Sequence, residues 1–525
     1  MEDSFLPKEK VNINQIRPND RVDGYPINTH PFFKKVLELI PGIVTWLFIL
    51  SPLIFSLLKI PQVLVFYIAF LMVYWLFRGF RFFYGLLVGL KRMKRDMAED
   101  WIGKIKKEYP EKYKELKFVY LCPTYHEGEE LLRSSMEAIA NSDYGSKNIS
   151  VLYAIEQKHC QKQIEIFQKL KIDYGSKFRE MICFVHPADI EGEIVGVKGA
   201  NINWATRQYV KYLKKKGEDI HDYLLISVDS DWKPHPKLLS AVAYKYMTTP
   251  NPDHKFYASA IHTFNNNLWK VPSLIRSFST TSTLVILHNW VVSRVNETFA
   301  AYIANLKTVD ETGYWAPDIQ NDDTAFYWNA LVRYNGDFKG IPIFIPTYND
   351  AVENDTFVKT HKSLYKQQHR WGWGVIVFPI TIAALFENKK IPFLKKMSIL
   401  EVLLENRLIY LTVVYLLTLG LPLLNILSSE YVYSSASFNL PKLMSYLMTA
   451  LMFLNIPVII ARRRLYPKHI KWNVFRHIWD YIETFLITVN MLTFTFLPYI
   501  QANTELMLGR KTRKKLYITE KSPMQ

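Results

Sequence analysis

Two blocks of apolar sequence, one near each end of the chain, constrain its fold more than any other feature. In the first block, residues 36–58 and roughly 62–77 are long apolar runs, and about 20 such residues cross the hydrocarbon core of a membrane. In the second block, residues 401–424 and 441–461 have the same character. We therefore predict a transmembrane hairpin within residues 36–90 and a second one within residues 401–461.

Charged segments beside these blocks predict which parts of the chain lie on the cytosolic side of the membrane. Residues 1–35 are polar, so we expect a cytosolic N-terminal segment and no cleavable signal peptide. A basic cluster at 91–95 opens a lysine-rich amphipathic segment, 91–116, and the positive-inside rule places the downstream residues in the cytosol. This segment is either an ordinary solvated helix or one that lies on anionic lipid.

The C-terminal part leaves the number of spans open. Residues 373–400 contain only a short apolar run, so we predict interfacial helices there. Residues 484–504 are long enough to cross but carry Thr, Asn, Gln and Pro. Four spans return the basic tail near 510–515 to the cytosol, so we interpret 462–525 as an interfacial or re-entrant segment and a cytosolic tail. A fifth span is the alternative.

The polar middle, residues 117–372, is typical of a soluble α/β domain. Short apolar runs of strand length occur at 118–121, 149–155, 181–185 and 223–228, and helical segments such as 131–140 and 201–214 separate them. This alternation predicts a mostly parallel sheet covered by helices.

Charge and cysteine content narrow the classes of function. The net charge of +17 fits nucleic acid, anionic membrane or an anionic substrate. The basic residues border apolar runs and form no nucleic-acid reader motif, which argues against nucleic acid as a partner. The three cysteines have no CxxC spacing, so we expect neither a zinc site nor a disulfide framework.

The strongest local motif comes after the last of these predicted strands, where Asp229-Ser230-Asp231 ends an apolar run. Ligands of open α/β sheets bind at the carboxyl ends of the strands. Residues i and i+2 of an extended chain point to the same side, so two carboxylates would hold one Mg²⁺ or Mn²⁺ on a diphosphate. An ordinary exposed Asp-Ser-Asp turn is the alternative.

Two further motifs lie later in the chain. Asp322 and Asp323 begin a predicted helix, where acids serve as helix caps or as a general base for an acceptor hydroxyl. Gln367, Arg370 and Trp371 precede the second apolar block. Their side chains suit phosphate, hydroxyl groups and a sugar ring, or an anchor at the membrane interface.

Taken in order, these motifs resemble those of family 2 glycosyltransferases, particularly the cellulose, chitin and hyaluronan synthase branch. The family's DxD corresponds to Asp229-Ser230-Asp231, its TED-like motif to 321–323 and its QxxRW to 367–371. The resemblance implies a GT-A fold, an α/β Rossmann-like mixed sheet with flanking helices, joined to transmembrane helices. It assigns the catalytic base to Asp323 and a substrate-site position to Asp322.

The resemblance extends to segments upstream. Residues 123–127 resemble a PTYNE motif, which implies that Tyr125 and Glu127 contact the base and ribose of a nucleotide. Residues 198–203 resemble KAGNLN, so Lys198 and Asn201 would approach the donor. Residues 259–264 resemble TPHFF, which implies that His262 joins the metal. The tail, residues 502–521, is similar to the family's cytosolic tail.

Some segments depart from the family pattern. The acid expected after the second strand is Glu156, which would grip uracil but leaves guanine and deoxythymidine donors open. The third motif lacks the Glu of TED, and no FFCGS-like acceptor segment lies between 278 and 294.

The family resemblance implies an inverting glycosyltransferase, and the apolar blocks with their basic flank predict that it lies in the plasma membrane with its catalytic domain in the cytosol. A nucleotide-sugar, with UDP-sugars first, would be the donor, and Mg²⁺ or Mn²⁺ the cofactor. The acceptor would be a growing β-linked polysaccharide. The alternative is one sugar transferred to a lipid, polyprenyl phosphate or diacylglycerol. A degenerate membrane scaffold or transporter is a third hypothesis, although transporters place ionisable residues inside their spans and the candidate spans hold few.

Overall fold

The computed structural model describes residues 12–15, 20–188, 190–194, 198–453, 455–467 and 472–510. The predicted basic tail lies almost entirely outside these residues, as does most of the 502–521 segment with a family-like tail. A short hairpin of β1 (Arg21–Val22) and β2 (Tyr25–Pro26) precedes the first long helix.

An eight-stranded mixed sheet forms the centre of the molecule. Its strands are β3 (Lys117–Thr124), β4 (Ile149–Glu156), β5 (Glu180–His186), β6 (Tyr223–Ser227), β7 (Lys233–Pro234), β8 (Lys255–Thr263), β9 (Tyr302–Asn305) and β10 (Lys339–Tyr348). They lie in the order β5-β4-β3-β6-β9-β8-β10-β7. Strands β5, β4, β3 and β6 are parallel neighbours, as are β8 and β10, whereas β9 is antiparallel to both of its neighbours. The predicted α/β sheet is therefore confirmed as a mixed one.

Both faces of the sheet are buried, because successive strand residues point to opposite sides. In β3, Val119 and Leu121 join one apolar cluster, whereas Phe118 and Tyr120 join another on the opposite face. The first cluster continues into the helices at the ends of the chain, including Leu86 and Leu403. One face of the sheet is therefore attached to the helical part of the molecule.

Helices flank the sheet, as predicted. Within the central domain these are α6 (Glu129–Ala140), α7 (Cys160–Tyr174), α8 (Lys198–Lys215), α9 (Leu238–Thr248), α10 (Ser273–Val292), α11 (Leu306–Thr312), α12 (Asp322–Arg333) and α13 (Phe357–Gly372).

The remaining helices come from the two ends of the chain. The N-terminal ones are α1 (Pro31–Ile49), α2 (Ser51–Leu57), α3 (Pro61–Ala98), α4 (Trp101–Glu108) and α5 (Pro110–Glu115). The C-terminal ones are α14 (Val377–Glu387), α15 (Phe393–Leu404), α16 (Tyr410–Tyr415), α17 (Leu421–Leu427), α18 (Ser429–Val432), α19 (Ser435–Phe453), α20 (Asn455–Leu465), α21 (Val474–Asn490) and α22 (Phe496–Met507). Single π-helical turns at Glu405–Ile409, Leu416–Gly420 and Met491–Thr495 join several of them.

Among the described residues, four helical stretches are long and apolar enough to cross a membrane: Pro61–Ala98, Phe357–Glu387, Phe393–Leu427 and Val474–Met507. The pair α1 and α2 passes the same test together but is bent by 64°. These features are compatible with membrane association. In Phe357–Glu387, 72% of the apolar window is buried inside the protein, so packing in the protein core also explains why this stretch is apolar.

Several predicted boundaries differ from those of the helices. The basic cluster at 91–95 is the last part of α3 and not the start of a separate segment, because that helix continues unbroken from Pro61 to Ala98. Residues 484–504 belong to the Val474–Met507 stretch, which is long enough to cross. Residues 441–461 fall on α19 and α20, and position 454 between them lies outside the described residues.

Candidate functional site

The Asp229-Ser230-Asp231 motif forms a turn at the carboxyl end of β6. The strand ends at Ser227, and the Trp232 N–H donates to the Asp229 carbonyl oxygen at 3.1 Å. The expected extended geometry is therefore wrong, and the two carboxylates have different surroundings. The Asp229 side chain is 43% exposed. Asp231 is buried, and its Oδ2 accepts the Asp350 N–H at 3.0 Å.

The middle residue of this turn connects it to the loop after β3. Ser230 Oγ donates to Glu127 Oε1 at 3.2 Å. The other carboxylate oxygen of Glu127 accepts the N–H groups of Tyr125 at 2.6 Å and His126 at 3.1 Å. Glu127 therefore orders the loop after the strand, and the ribose contact implied by the resemblance stays a prediction.

Lys198, at the start of α8, lies between two of the predicted site carboxylates. Its Nζ is 3.2 Å from Asp229 Oδ1 and 3.4 Å from Asp323 Oδ2. Burial would lower the pKa of Lys198, but the charges of Asp229 and Asp323 raise it above its usual value. Three residues from separate sequence motifs therefore form one charged group at the edge of the sheet.

The next residue of α8 explains how the helix approaches so closely. A Cβ added to Gly199 would lie 2.5 Å from the Asp322 Cβ atom. Real Cβ atoms do not approach one another so closely, so only glycine fits beside Asp322 at this position. The absence of a side chain at Gly199 thus allows the first turns of α8 and α12 to meet.

The two adjacent acids at the start of α12 point to different neighbours, as expected for successive helical residues. Asp322 is buried against Gly199, and burial together with the charge of Asp323 raises its pKa well above the usual aspartate range. Burial also raises the pKa of Asp323, although Lys198 opposes this effect. Oδ2 of Asp322 and Oδ1 of Asp323 are buried without a hydrogen-bond partner in the described structure. Elevated carboxyl pKa values in a cleft are typical of general bases.

The QxxRW segment lies in the last turns of α13. The positive charge of Arg370 lowers the pKa of Asp323, which shows that the guanidinium acts on this carboxylate. Trp371 packs against an apolar cluster that includes Val271 and Leu364. Gln367 is half-buried, and no contact in the described structure assigns it a function.

Contacts on the other side of α13 hold this helix in place. Tyr365 donates to Gln501 at 2.8 Å, and His369 Nε2 lies 2.8 Å from Glu505 Oε2, both partners being in α22. The predicted site helix is thus attached to a stretch that is long enough to cross a membrane.

His262, near the end of β8, was the third predicted metal ligand. Burial lowers its pKa to about 4, so the imidazole is neutral at neutral pH, as a metal ligand must be. Its Nδ1 lies 3.3 Å from Asn349 Nδ2 and 3.4 Å from Thr347 Oγ1. The rings of Phe264 and Phe299 both stand edge-on to the imidazole.

These donors fit a hard divalent cation whose coordination is completed by a ligand. Asp229 offers a partly exposed carboxylate, and the Lys198 ammonium beside it shows that the position attracts a cation. Within the described ranges, no three His, Cys, Asp or Glu side chains are grouped closely enough to hold an ion alone. Diphosphate oxygens would supply the remaining ligands, as is usual for Mg²⁺.

The predicted base-binding residues lie at the neighbouring strand ends. The Tyr125 ring stands edge-on to His159, with 4.6 Å between ring centroids. The Asn201 amide donates to the Ala154 carbonyl at 2.8 Å, so its visible contact ties α8 to the end of β4. Glu156, the last residue of β4, lies 3.1 Å from His186 Nδ1.

Sequence reasoning missed several residues of this region. His186 ends β5, so its place at a carboxyl strand end was the available signal. Thr298 Oγ1 donates to the Asp323 carbonyl at 2.5 Å, and no motif marks this threonine. Gly199 was noted only as part of a family-like segment.

A cavity of about 1100 Å³ lies between the helices. Its lining includes Thr324, the residue after Asp323, and Thr298, which donates to the Asp323 carbonyl. Three of the span-length stretches contribute to its wall, with Arg81 from α3, Tyr410 from Phe393–Leu427 and Phe485 from Val474–Met507. The lining mixes apolar side chains with arginines.

No family model matches the chain, and no curated protein matches it. Among solved structures, it is similar to "Mannosyltransferase PcManGT from Pyrobaculum calidifontis in complex with GDP-Man and Mn2+", with 13% identity and a TM-score of 0.40 over 82% of this chain and 99% of that chain. It is also similar to S. aureus TarS 1–349 in complex with UDP-GlcNAc, with 12% identity and a TM-score of 0.34 over 76% of this chain and 93% of that chain. Both TM-scores are too low to assign a fold or a function to this chain.

Proposed function

We propose that this protein is a membrane-integrated inverting glycosyltransferase with a GT-A catalytic domain and a nucleotide-sugar donor. The observation that carries the proposal is the meeting of Lys198, Asp229 and Asp323, with the charge of Arg370 acting on Asp323. A general base beside fixed cations is what displacement of a diphosphate requires. A purely structural protein has no need for unpartnered carboxylate oxygens at such a place.

In the proposed reaction, Asp323 accepts the proton of an acceptor hydroxyl. The hydroxyl oxygen then forms a bond to the anomeric carbon from the face opposite the diphosphate. The bond from that carbon to the diphosphate oxygen breaks, and the nucleoside diphosphate leaves with the electron pair. Lys198 and Arg370 stabilise the negative charge on the leaving group. One displacement inverts the anomeric centre, so an α-linked donor gives a β-linked product.

Mg²⁺ or Mn²⁺ would be held by Asp229, Asp231 and His262, and would supply charge neutralisation for the diphosphate. The roles of Tyr125, Glu127, Glu156 and Asn201 in donor binding are part of this proposal. So are those of Asp322, Gln367 and Trp371 in the substrate site.

A growing β-linked polysaccharide is the first candidate acceptor. The QxxRW segment supports it, because its helix contacts the span-length stretch Val474–Met507, as does a cavity of about 1100 Å³ lined in part by Thr298 and Thr324. An elongating glycan needs a space of this kind between the site and the spans. We place the protein in the plasma membrane with its catalytic domain in the cytosol.

A lipid acceptor is the second candidate, and one observation favours it. Arg81 lines the cavity and donates to the Val292 carbonyl at 2.7 Å, but no carboxylate within the described residues forms an ion pair with it. Arg78, one turn away, is paired with Glu405 at 2.5 Å. A guanidinium without an anionic partner in such a wall suits the phosphate of a lipid.

The test of the reaction is release of nucleoside diphosphate by the detergent-purified chain from a panel of nucleotide-sugars. The assay is run with Mn²⁺, with Mg²⁺ and with EDTA, and with membrane lipids as acceptors. We expect strong turnover of one donor and its loss in EDTA. A folded preparation that releases nothing from any donor would contradict the proposal.

Extraction of the labelled product separates the two acceptors. A lipid-linked sugar partitions into organic solvent, whereas a polymer stays in the ethanol precipitate. If the acceptor is a lipid phosphate, Arg81→Gln lowers transfer strongly and the exposed Arg464→Gln, the matched control, does not. Equal activity of the two variants with a precipitable product favours the polymer.

A further inference from the structure

His186 is buried between two glutamates at the carboxyl ends of β4 and β5. Its Nδ1 is 3.1 Å from Glu156 Oε2, and its Nε2 is 3.3 Å from Glu193 Oε1. The side chain of His186 is 5% exposed and that of Glu193 6%, whereas that of Glu156 is 17% exposed. The carboxylate nearest to solvent is thus the one at the end of β4.

The sheet itself creates this arrangement. Glu156 and His186 are register partners in the parallel pairing of β4 with β5. Glu193 follows β5 in the chain and lies against His186. Its N–H donates to the Ile190 carbonyl at 3.2 Å, and the N–H of the next residue, Ile194, donates to the Pro317 carbonyl at 3.1 Å. The imidazole is therefore held on both sides by glutamate side chains, and the backbone that carries each glutamate has hydrogen bonds of its own.

The electrostatics agree with a charged imidazole. Burial would lower the pKa of His186, but the hydrogen bonds to Glu156 and Glu193 raise it to about 9. Both ring nitrogens then carry a proton, and each donates to one carboxylate. Glu156 is consequently kept in a fixed orientation with His186 on its Oε2.

This network lies beside the residues that the proposed function assigns to the nucleotide. The Asn201 amide joins the carbonyl of Ala154 in β4 to α8, and Tyr125 comes directly after the end of β3. The exposed part of Glu156 is therefore at the same sheet edge as the proposed base pocket.

We propose that His186 is a positioning residue that holds Glu156 as a hydrogen-bond acceptor for the donor's nucleobase, with Glu193 as its second anchor. A carboxylate aimed at the ring nitrogen of the pairing edge favours a donor base that carries a proton there. Uracil and thymine present N3–H, and guanine presents N1–H and its amino group. The inference rests on the proposed function for its ligand.

The same chemistry disfavours the other two bases. Cytosine presents an unprotonated N3 and adenine an unprotonated N1, so each would place a lone pair against a carboxylate aimed at the ring nitrogen, and only the exocyclic amino group of each could donate to it. A buried polar group that meets the wrong partner is left unpaired, which is the strongest source of discrimination available to a binding site.

Binding of free nucleotides tests this without any sugar transfer. The full chain in detergent is titrated with UDP, GDP, dTDP, CDP and ADP, with Mn²⁺ at constant concentration. We expect the tightest of UDP, GDP and dTDP to bind at least about tenfold more tightly than CDP and ADP. Equal binding of CDP would overturn the inference.

Three variants test which residues produce the base preference. Glu156→Gln supplies an amide N–H for the N3 of cytosine, so the ratio of CDP to UDP affinity should rise by about tenfold or more. His186→Gln can donate to only one of the two glutamates, so the KM of the best donor should rise by about tenfold while kcat changes little. His221→Gln is the matched control, because His221 pairs with Asp253 at 3.0 Å and is 46% exposed.

The outcomes separate this inference from the proposed function. If His186→Gln folds but behaves like His221→Gln, His186 does not position Glu156. If His186→Gln does not fold, the nucleotide panel on the unaltered chain and on Glu156→Gln still decides whether Glu156 selects the base. Selective UDP or GDP binding without any transfer would contradict the proposed function alone, whereas efficient transfer from a CDP-sugar would contradict this inference alone.

Discussion

Two groups of charged side chains in this protein, each partly buried, are balanced in opposite ways. In the candidate site, Asp229, Asp322 and Asp323 surround one lysine, and two of their carboxylate oxygens have no hydrogen-bond partner in the described structure. In the second group, between α10, α20 and α21, the carboxylates of Asp480 and Glu483 are each bound by two arginines.

The second group is built as a connection between helices. Arg276 of α10 pairs with Glu483, and Arg462 of α20 reaches both Glu483 and Asp480 of α21. Arg463 and the Tyr466 hydroxyl complete the partners of Asp480. Breaking such a buried pair leaves an uncompensated charge, so its residues serve mainly stability.

The contrast between the groups distinguishes a charged cluster that stabilises the fold from one that serves a reaction. Where each acid has cationic partners, removal of a buried partner should destabilise the protein. Where acids exceed cations and keep unpartnered oxygens, removal of one acid should relieve repulsion and affect chemistry. Substitutions in the two groups should therefore differ in kind.

The largest effect is expected for Asp323→Asn. Loss of the base should reduce sugar transfer by about a thousandfold while donor binding persists. Since burial raises the pKa of Asp323, its ionised carboxylate is less stable in the folded chain than in water, so the variant should melt at the same temperature or higher. The measurements are turnover, donor titration and thermal unfolding. Near-normal turnover would mean that another group is the base.

The reverse pattern is expected in the second group. Arg462→Met removes a buried partner of Asp480 and Glu483 and should destabilise the protein by about 3–5 kcal/mol, as measured by denaturant unfolding. Arg463→Met, at a side chain 37% exposed, is the matched control and should cost about 1 kcal/mol or less. Equal losses in the two variants would mean that burial does not set the cost.

A single methyl group probes the packing of the candidate site. Gly199→Ala places a Cβ 2.5 Å from the Asp322 Cβ atom and should cost about 1–3 kcal/mol while it displaces Lys198 and lowers transfer. Gly128→Ala is the control, because an added Cβ there meets nothing within 4 Å. Unfolding and turnover are measured for both. If Gly199→Ala keeps full activity, the close contact of α8 with α12 is not needed for catalysis.

The smallest effect is a pH dependence of stability from His186. Its ion pairs with Glu156 and Glu193 contribute fully below the unfolded pKa of about 6.5 and are lost as the pH rises through about 9. Asp318 also faces Glu193 and adds negative charge there. The difference in melting temperature between the parent chain and His186→Gln should therefore shrink between these pH values. A constant difference would mean that the imidazole does not titrate in this range.

Much of the architecture could be predicted from the sequence because it depends on local pattern. The predicted strands at 118–121, 149–155 and 181–185 lie within observed strands, and the one at 223–228 overruns β6 by a single residue. Runs of apolar residues of this length suit a sheet buried on both faces. Helix ends were harder to predict. The basic cluster at 91–95 suggests a break in polarity, yet α3 continues through it to Ala98 because no proline interrupts its hydrogen bonding there.

The candidate site was predictable as a list of residues but not as an arrangement. Asp229 and Asp231 belong to one motif, but a turn at Ser230 buries the Asp231 carboxylate and leaves that of Asp229 accessible. His186 and Glu193 have no motif at all. Their importance depends on the register of β4 with β5 and on the path of the loop after β5.

Composition and periodicity, which act over a few neighbouring residues, were enough to define the apolar blocks at the ends and the α/β middle. Local motifs, and their resemblance to those of a known family, identified residue types that suit metal, diphosphate and proton transfer. The position of Lys198 between Asp229 and Asp323, and that of Asp322 against Gly199, emerged from the folded chain alone. Such contacts join segments far apart in the chain, and their distances and pKa shifts come from burial and charge that no local pattern encodes.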